Sequence, residues 1–231
     1  MARKKKKAIN TRARTLIADE NPKSPIAEQF RTIRTNLQFT SIDHELETML
    51  VTSASPSEGK SITTANTAVV FAQQGKKVLL VDADLRKPTI HYTFRIANTK
   101  GLSNYLVSNQ SIHELAAQTE IENLDALTCG PIPPNPSELL GSKKMKRFIE
   151  EAKQTYDMII FDTPPVLAVT DSQVLSNFVD GCLLVVRSKQ TEKETAVKAK
   201  EQLEQAQANI LGVVLNDQDV KSSNYYYYYG H

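Results

Sequence analysis

The stretch TMLVTSASPSEGKS, residues 48–61, joins a short apolar run to a glycine-lysine-serine turn. The run predicts a buried strand, and the residues after Gly59 predict the first turn of a helix. A loop between the end of a strand and the start of a helix directs backbone N–H groups at one point, where they bind phosphate. The stretch therefore predicts a site for a nucleoside triphosphate.

The residue types of this loop match the chemistry of a phosphate chain. Lys60 is expected to reach the β- and γ-phosphates of ATP, and the Ser61 hydroxyl to bind Mg²⁺. Gly59 is expected because a Cβ at this position would crowd the phosphate. The usual pattern is G-x-x-x-x-G-K-[ST], and Ala54 stands where its first glycine would be. The backbone amides expected to bind ATP belong to Glu58, Gly59, Lys60, Ser61 and Ile62.

Charge is distributed unevenly along the chain. The net charge is +2, yet the first 14 residues contain seven bases and no acid, so the remainder is mildly acidic. We expect a basic flexible arm over residues 1–21, one folded domain over 22–220 and a tyrosine-rich tail over 221–231. The arm is expected either to be solvated or to touch anionic lipid. No nucleic acid partner is expected, because no basic face carries interleaved aromatic residues.

The sequence contains no recognisable membrane or secretion signal. No apolar run approaches the roughly 20 residues of a membrane span, and no signal-peptide core follows the basic start. We therefore expect a cytoplasmic protein that reaches the membrane only through a partner. Cys129 and Cys182 are predicted to be unpaired, and the four histidines lack the spacing of a metal site.

Strands and helices alternate along the chain after a first helix over residues 25–39. The apolar runs are short and rich in Val, Ile and Leu, which is typical of parallel strands covered on both faces. Ser111 with Glu114, and Thr191 with Glu194, predict capping boxes at two helix starts. The pattern predicts a doubly wound, mostly parallel α/β sheet flanked by helices, of the P-loop NTPase type. The predicted strands are 48–53, 77–82, 124–128, 157–161, 182–187 and 210–215, and the predicted later helices are 60–74, 111–118, 142–154, 171–177 and 191–207.

Two of the predicted strands end in carboxylates, Asp82 and Asp84 after one and Asp162 after the other. The carboxyl ends of parallel strands share one edge of the sheet, where the phosphate loop also lies. Mg²⁺ prefers oxygen ligands, so carboxylates at this edge complete an ATP site. A lone Asp at a strand end is often a helix cap, but three beside a phosphate loop favour a metal site.

Taken in order, these motifs resemble the Walker A, Walker A′ and Walker B motifs of the bacterial tyrosine kinases, which are P-loop autokinases. They are A-x-x-x-x-G-K-S at 54–61, D-x-D-x-R at 82–86 and D-x-x-P at 162–165. The resemblance extends to an E-x-x-R-x-x-R motif in the first helix, to P-P-N-P-x-E-L-L at 133–140 and to a terminal tyrosine cluster. It covers nearly the whole chain from about residue 22.

The resemblance implies an ATP-dependent protein-tyrosine autokinase. Lys60 and Mg²⁺ would neutralise the developing phosphate charge. Asp82 would orient the acceptor phenol and take its proton, and Asp84 would bind the metal with Ser61 and Asp162. The reverse assignment of Asp82 and Asp84 stays open. Each acceptor would gain about −1.5 to −2 charges on phosphorylation, and the expected acceptors are Tyr225, Tyr226, Tyr227, Tyr228 and Tyr229.

The resemblance also implies partners. Each tail would enter the site of the next subunit in a ring-shaped homo-oligomer, and Glu28, Arg31 and Arg34 would dock on a neighbour. These three residues share one helix face, which can also be an ordinary solvated surface. In Gram-positive members the kinase is a separate cytoplasmic chain activated by a membrane-spanning polysaccharide co-polymerase. We therefore expect a regulator of capsule or exopolysaccharide production at the inner face of the membrane, with further protein substrates possible.

Two alternatives share part of this pattern. A MinD- or ParA-like ATPase has the same fold, but its signature lysine would fall at Ser55, and it has no use for a tyrosine tail. A nucleotide-binding scaffold has no need of a complete metal site. Asn216, after the last strand, is expected either to contact adenine or to cap a turn.

Overall fold

The structure is a computed structural model that describes residues 15–40 and 45–218. Seven strands in these ranges form one sheet, which runs in the order β3-β4-β2-β5-β1-β6-β7. Every neighbouring pair is parallel except β3 with β4. The predicted doubly wound, mostly parallel sheet is therefore confirmed. The strands are β1 Thr48–Ser53, β2 Val78–Asp82, β3 Ala117–Gln118, β4 Leu124–Leu127, β5 Met158–Asp162, β6 Gly181–Arg187 and β7 Ile210–Asn216.

Helices of the described residues cover both faces of this sheet. The longest are α2, α3 and α10, and several of the others span a single turn. They are α1 Ile17–Glu20, α2 Pro25–Thr40, α3 Lys60–Ala72, α4 Ile90–Thr93, α5 Leu102–Val107, α6 Ile112–Leu115, α7 Pro136–Leu140, α8 Lys143–Ala152, α9 Asp171–Ser176 and α10 Lys193–Gln205.

The central strands are rich in apolar residues because both of their faces are covered. Every residue of β1, β2 and β5 is buried. Phe71 of α3 packs with the residues on one face of the sheet, and Phe148 of α8 packs with those on the other. Close packing on both faces thus fixes the ends of the strands relative to one another.

Strand register brings the predicted site residues to one edge. Strand β5 lies between β1 and β2, and Asp162 is level with Asp82 on one side and with Val51 on the other. The phosphate loop leaves the end of β1 at the same edge. The parallel strands and their order therefore explain why the phosphate loop and the carboxylates of Asp82 and Asp162 lie at the same edge, as the sequence predicted.

Two predicted boundaries differ from the structure. Residues 15–20 belong to the predicted arm, yet Ala18 of α1 is fully buried and its N–H donates to Asn66 Oδ1 at 2.9 Å, so the folded part begins before residue 22. The predicted helix 111–118 is only α6, because residues 117–118 form the antiparallel edge strand β3. Ser111 and Glu114 do form the predicted capping box.

The capping box predicted at Thr191 is wrong. Helix α10 begins at Lys193, and its N-cap Glu192 makes no side-chain cap hydrogen bond. The Thr191 hydroxyl instead accepts the Arg187 N–H at 2.9 Å and donates to Glu58 at 2.5 Å. A contact with the phosphate loop has therefore replaced a local cap.

The remaining predictions on the chain ends lie outside the described residues. They concern arm residues 1–14 and the tail, including Tyr225–Tyr229. In the part of the chain that the structure covers, no helix is long and apolar enough to cross a membrane.

Candidate nucleotide site

The phosphate loop adopts the conformation that a phosphate-binding turn requires. Gly59 has φ +87° and precedes α3, a left-handed conformation that favours glycine. The first backbone bond of the helix runs from the Thr63 N–H to the Gly59 carbonyl at 2.9 Å. The N–H groups before Thr63 have no partner within the helix by geometry, so the amides predicted to meet ATP are available to an anion.

Asn216 supplies a second reason for glycine at position 59. A Cβ built on Gly59 would lie 2.0 Å from Asn216 Nδ2. That amide nitrogen donates to the Glu58 carbonyl at 2.9 Å. The sequence argument expected crowding by phosphate, whereas the structure shows crowding by the end of β7. Asn216 thus fastens the loop, and its predicted contact with adenine stays a prediction.

The Glu58 side chain is buried and forms hydrogen bonds within the protein. Its carboxylate accepts the Ser55 N–H at 3.0 Å and the Thr191 hydroxyl at 2.5 Å, and the residue is only 5% exposed. It lines a second cavity of about 240 Å³ with Arg187 and Thr191. The Glu58 side chain therefore ties the loop to the segment after β6.

Lys60 lies among the predicted metal ligands. Its Nζ is 2.7 Å from Asp162 Oδ1, 3.2 Å from Ser61 Oγ and 3.9 Å from Asp84 Oδ2. All four side chains belong to segments that leave the same edge of the sheet. The structure thus brings together the lysine and the three oxygen-bearing residues that the sequence assigned to phosphate and Mg²⁺.

Asp162 is held at the bottom of the site. The residue is fully buried, and its Oδ1 accepts from Lys60 and, at 3.2 Å, from the Thr64 hydroxyl. Its Oδ2 is buried and has no hydrogen-bond partner among the described residues. Sequence reasoning missed Thr64, although its position one helical turn after Lys60 is a usable signal.

Asp82 is also fully buried and lies next to Asp162 in the sheet. Its Oδ2 accepts the N–H groups of Thr89 and Ile90 at 2.8 and 2.9 Å, and its Oδ1 has no partner within the described residues. Burial, and then the charge of Asp162, raise the pKa of Asp82 to about 7. Asp82 does not line the cleft, and its predicted role at the phenol stays a prediction.

Asp84 faces the cleft. Its Oδ1 accepts the N–H groups of Arg86 and Lys87 at 3.3 and 2.9 Å, which fixes the carboxylate in a tight turn. The cleft has a volume of about 490 Å³ and is lined by phosphate-loop residues, Asp84, Arg86 and Lys87. Of Asp82, the last residue of β2, and Asp84, two residues later, only Asp84 lines this cleft.

The oxygen-bearing side chains fit Mg²⁺ when phosphate oxygens are added. Asp162 Oδ2 is a buried acceptor without a partner, and the Ser61 hydroxyl and Asp84 lie around the same lysine. No group of three or more His, Cys, Asp and Glu residues in the described ranges has the arrangement of a metal site by itself. Mg²⁺ keeps waters and binds substrate phosphates beside one or two carboxylates, which matches this donor set.

Comparisons with known proteins agree with this geometry. The AAA domain family model matches residues 56–214, well over half of the chain. Tyrosine-protein kinase YwqD of Bacillus subtilis strain 168 is 53% identical over 217 residues, which cover 94% of this chain and 92% of that protein. This chain belongs to the bacterial tyrosine kinases. The putative tyrosine-protein kinase CapB of Staphylococcus aureus is 44% identical to this chain over 228 residues, which cover 98% of this chain and 98% of that protein.

A solved kinase structure has the same fold as this tyrosine kinase. The kinase domain of the Escherichia coli tyrosine kinase ETK superposes with a TM-score of 0.86 at 36% identity, covering 94% of this chain and 85% of that chain. The relatives are named tyrosine kinases, so the MinD- or ParA-like ATPase is not the favoured alternative.

The E-x-x-R-x-x-R motif of this tyrosine kinase, at Glu28, Arg31 and Arg34, is only partly exposed. Arg31 forms a salt bridge with Glu28 and donates to the Pro22 carbonyl at 2.7 Å. Arg34 differs, because its Nη1 donates to the Val70 carbonyl of α3 at 2.8 Å, and burial, followed by the charge of Arg31, lowers its pKa. The expected stripe of three exposed charges thus contains one that is anchored inside the subunit. The predicted role of all three in docking stays a prediction.

Sequence reasoning also missed an ion pair in the kinase cleft between the exposed Arg86 and the buried Asp171. Arg86 donates from Nε and Nη2 to the two oxygens of Asp171 at 2.9 and 3.0 Å. Arg86 was visible as the last residue of D-x-D-x-R, but Asp171 lies 85 residues away and carried no pattern beyond a helix start.

Proposed function

We propose that this tyrosine kinase transfers the γ-phosphoryl group of ATP to Tyr225–Tyr229 of a neighbouring copy. The observation that carries the proposal is the convergence of Lys60 with Asp84, Asp162 and Ser61 beside an anion-binding loop, at distances from 2.7 to 3.9 Å. A plain nucleotide-binding module needs the loop but not this arrangement of carboxylates.

Each group has a distinct task in the transfer. The amides of the loop and Lys60 hold the β- and γ-phosphates. Mg²⁺, when bound by Ser61 and Asp162, neutralises charge on the phosphate oxygens. Lys60 would exchange its contact with Asp162 for one with phosphate, which frees a carboxylate oxygen for the metal.

In this proposal Asp84, and not Asp82, receives the proton of the acceptor phenol. This is the reverse of the assignment expected from the sequence. Asp84 lines the cleft, so it can accept a hydrogen bond from the acceptor phenol and then its proton. Asp82 is fully buried. It accepts the N–H groups of Thr89 and Ile90 and lies beside Asp162 in the sheet. A second role for Asp84 as a metal ligand remains compatible with this position.

We further propose the assembly and cellular role that the family resemblance implies. Glu28 and Arg31 dock on a neighbouring subunit in a ring, with Arg34 fastening α2 to α3. A membrane-spanning activator of the polysaccharide co-polymerase type recruits the kinase to the inner face of the membrane. There it regulates capsule or exopolysaccharide production, and charge on phosphorylated tails opposes ring assembly.

The experiment is incubation of the full chain with labelled ATP and Mg²⁺, with and without the cytoplasmic segment of the activator, followed by phosphosite mapping. Label is expected on Tyr225–Tyr229 and absent from Lys60→Met. Label that persists in Lys60→Met, or no label under either condition, would contradict the proposal. Release of free phosphate without phosphotyrosine would instead support the MinD- or ParA-like ATPase.

A further inference from the structure

Arg86 occupies a part of the cleft to which the proposed function gives no task. It uses Nε and Nη2 to hold both oxygens of Asp171. Asp171 is fully buried, whereas the Arg86 side chain is 39% exposed and lines the cleft. One edge of the guanidinium is therefore fixed to the protein, and the other edge is accessible to a ligand in the cleft.

The ion pair fixes the orientation of this cation. A buried carboxylate is tolerated when a partner satisfies it, and Arg86 contacts both oxygens of Asp171. A guanidinium has five N–H donors in one plane, and the bridge uses two of them. The plane cannot rotate while both bonds persist, so the remaining donors have a set direction that a lysine ammonium would lack.

Arg86 also lies close to the groups that handle phosphate. Its backbone N–H donates to Asp84 Oδ1 at 3.3 Å, and Asp84 Oδ2 is 3.9 Å from Lys60 Nζ. The Arg86 backbone and the Lys60 ammonium thus lie at the two oxygens of one carboxylate, and Arg86 and Lys60 both line the same cleft. Phosphoryl transfer spreads negative charge over three equatorial oxygens, and a second fixed cation is suited to meet it.

We propose that Arg86 is a catalytic residue that contacts the γ-phosphoryl group during transfer, and that Asp171 is its positioning residue. This inference rests on the proposed function. In the step, the acceptor oxygen forms a bond to the γ-phosphorus, and its proton passes to a cleft carboxylate. The bond from the γ-phosphorus to the β,γ-bridging oxygen breaks, and its electron pair leaves with ADP. Arg86 neutralises charge on the equatorial oxygens and forms no covalent bond.

The test compares Arg86→Ala, Arg86→Lys and Asp171→Asn in the full chain under single-turnover conditions with ATP and Mg²⁺. We expect Arg86→Ala to lower the transfer rate by about 10² to 10³-fold, the usual effect of removing one fixed charge-stabilising donor. Arg86→Lys should recover only part of this loss, because lysine cannot hold both oxygens of Asp171 and face the ligand. Asp171→Asn should lower the rate less than Arg86→Ala does.

Nucleotide affinity separates a catalytic role from a structural one. A contact with the γ-phosphoryl group predicts that Arg86→Ala weakens binding of a non-hydrolysable ATP analogue while ADP affinity stays near wild type. Thermal stability should fall in Arg86→Ala, because the buried Asp171 loses its partner. The double variant Arg86→Ala/Asp171→Asn leaves no unpaired buried charge at this place, and it should recover stability but not the transfer rate. Arg147→Ala is the matched control, since Arg147 forms an arginine–carboxylate pair with Glu151 at 2.7 Å on α8 and should not change any of these quantities.

Two results would overturn the inference. One is an unchanged transfer rate in Arg86→Ala. The other is a loss of rate matched by an equal loss of ADP affinity, or a transfer rate that returns to the wild-type value in Arg86→Ala/Asp171→Asn, either of which would make the ion pair purely structural. The proposed function fails separately, if wild type releases phosphate without forming phosphotyrosine. In that case the effect of Arg86→Ala on phosphate release still decides whether this residue acts on the γ-phosphoryl group.

Discussion

Asn216 at the end of β7 locks the phosphate loop after β1 by donating from its side-chain amide to the Glu58 carbonyl at 2.9 Å. The same nitrogen occupies the space where a Cβ of residue 59 would be, at 2.0 Å. Residue 59 must therefore be glycine for two independent reasons, its positive φ and this close approach. The loop is shaped by a strand two positions away in the sheet as well as by its own sequence.

Substitution of Gly59 by alanine should damage both folding and binding. The strain of a positive φ costs roughly 1–2 kcal/mol, and the clash with Asn216 adds about 1–3 kcal/mol of overpacking or displaces the loop. Gly75→Ala is a matched control, because Gly75 has φ +93° with nothing within 4 Å of its built Cβ. Urea unfolding and ADP titration should show a small loss of stability for Gly75→Ala with normal binding, and larger losses of both for Gly59→Ala. Normal ADP affinity in Gly59→Ala would contradict this account.

The two hydrogen bonds of the Glu58 carboxylate, here called the Glu58 strap, should increase nucleotide affinity although this side chain is given no contact with the nucleotide. Its carboxylate joins the Ser55 amide to the Thr191 hydroxyl, so Glu58→Ala would release the loop and add an ordering cost to binding. We expect ADP to bind about 10-fold more weakly, which corresponds to about 1.4 kcal/mol, and Glu58→Gln to retain part of the affinity. Calorimetric titration measures this difference.

Its control is Glu138→Ala, which removes an exposed carboxylate bonded only locally to Asn135. If Glu58→Ala and Glu138→Ala bound ADP equally well, the strap would have no part in ordering the loop.

Sequence reasoning located site residues correctly when a local motif and the parallel order of the strands gave the same answer. Asp82 and Asp162 were found because parallel strands end at one edge, and this rule needs no tertiary detail. Thr191 with Glu194 met the pattern of a capping box, but a contact with Glu58 competed for the hydroxyl. The pattern could not reveal that, since Glu58 lies 133 residues away. The carboxylates of Asp82 and Asp84 could not be told apart for a different reason. Each is fixed by backbone N–H groups of the turns that follow it, and the D-x-D-x-R pattern does not indicate which of the two turns faces the cleft.

Both cysteines should be inert in the folded protein. Cys129 and Cys182 are fully buried and unpaired, and burial raises the pKa of each thiol to about 12. Thiolate is the reactive form, so a chromogenic disulfide reagent at pH 8 should find no accessible thiol in native protein and two in guanidinium chloride. Rapid reaction of one thiol without denaturant would show that its strand end opens readily.

Replacing Asp82 by asparagine should stabilise the protein when nucleotide and Mg²⁺ are absent. The pKa of Asp82 is raised from 3.8 to about 7, first by burial and then by the charge of Asp162. An acid whose pKa is higher in the folded state favours folding below its unfolded pKa and loses that contribution as pH rises through the folded value. Wild-type stability should therefore fall between about pH 4 and pH 7 from this group.

Asparagine keeps an oxygen for the Thr89 and Ile90 amides but carries no charge. Urea unfolding in EDTA should accordingly show Asp82→Asn more stable than wild type by about 1–3 kcal/mol at pH 7.5, with the difference vanishing near pH 4. Asp157→Asn is a suitable comparison, because Asp157 accepts the Lys77 N–H at an exposed site on the opposite edge of the sheet. A gain for Asp82→Asn that did not change with pH would mean that packing, and not the adjacent buried charges, limits stability at this strand end.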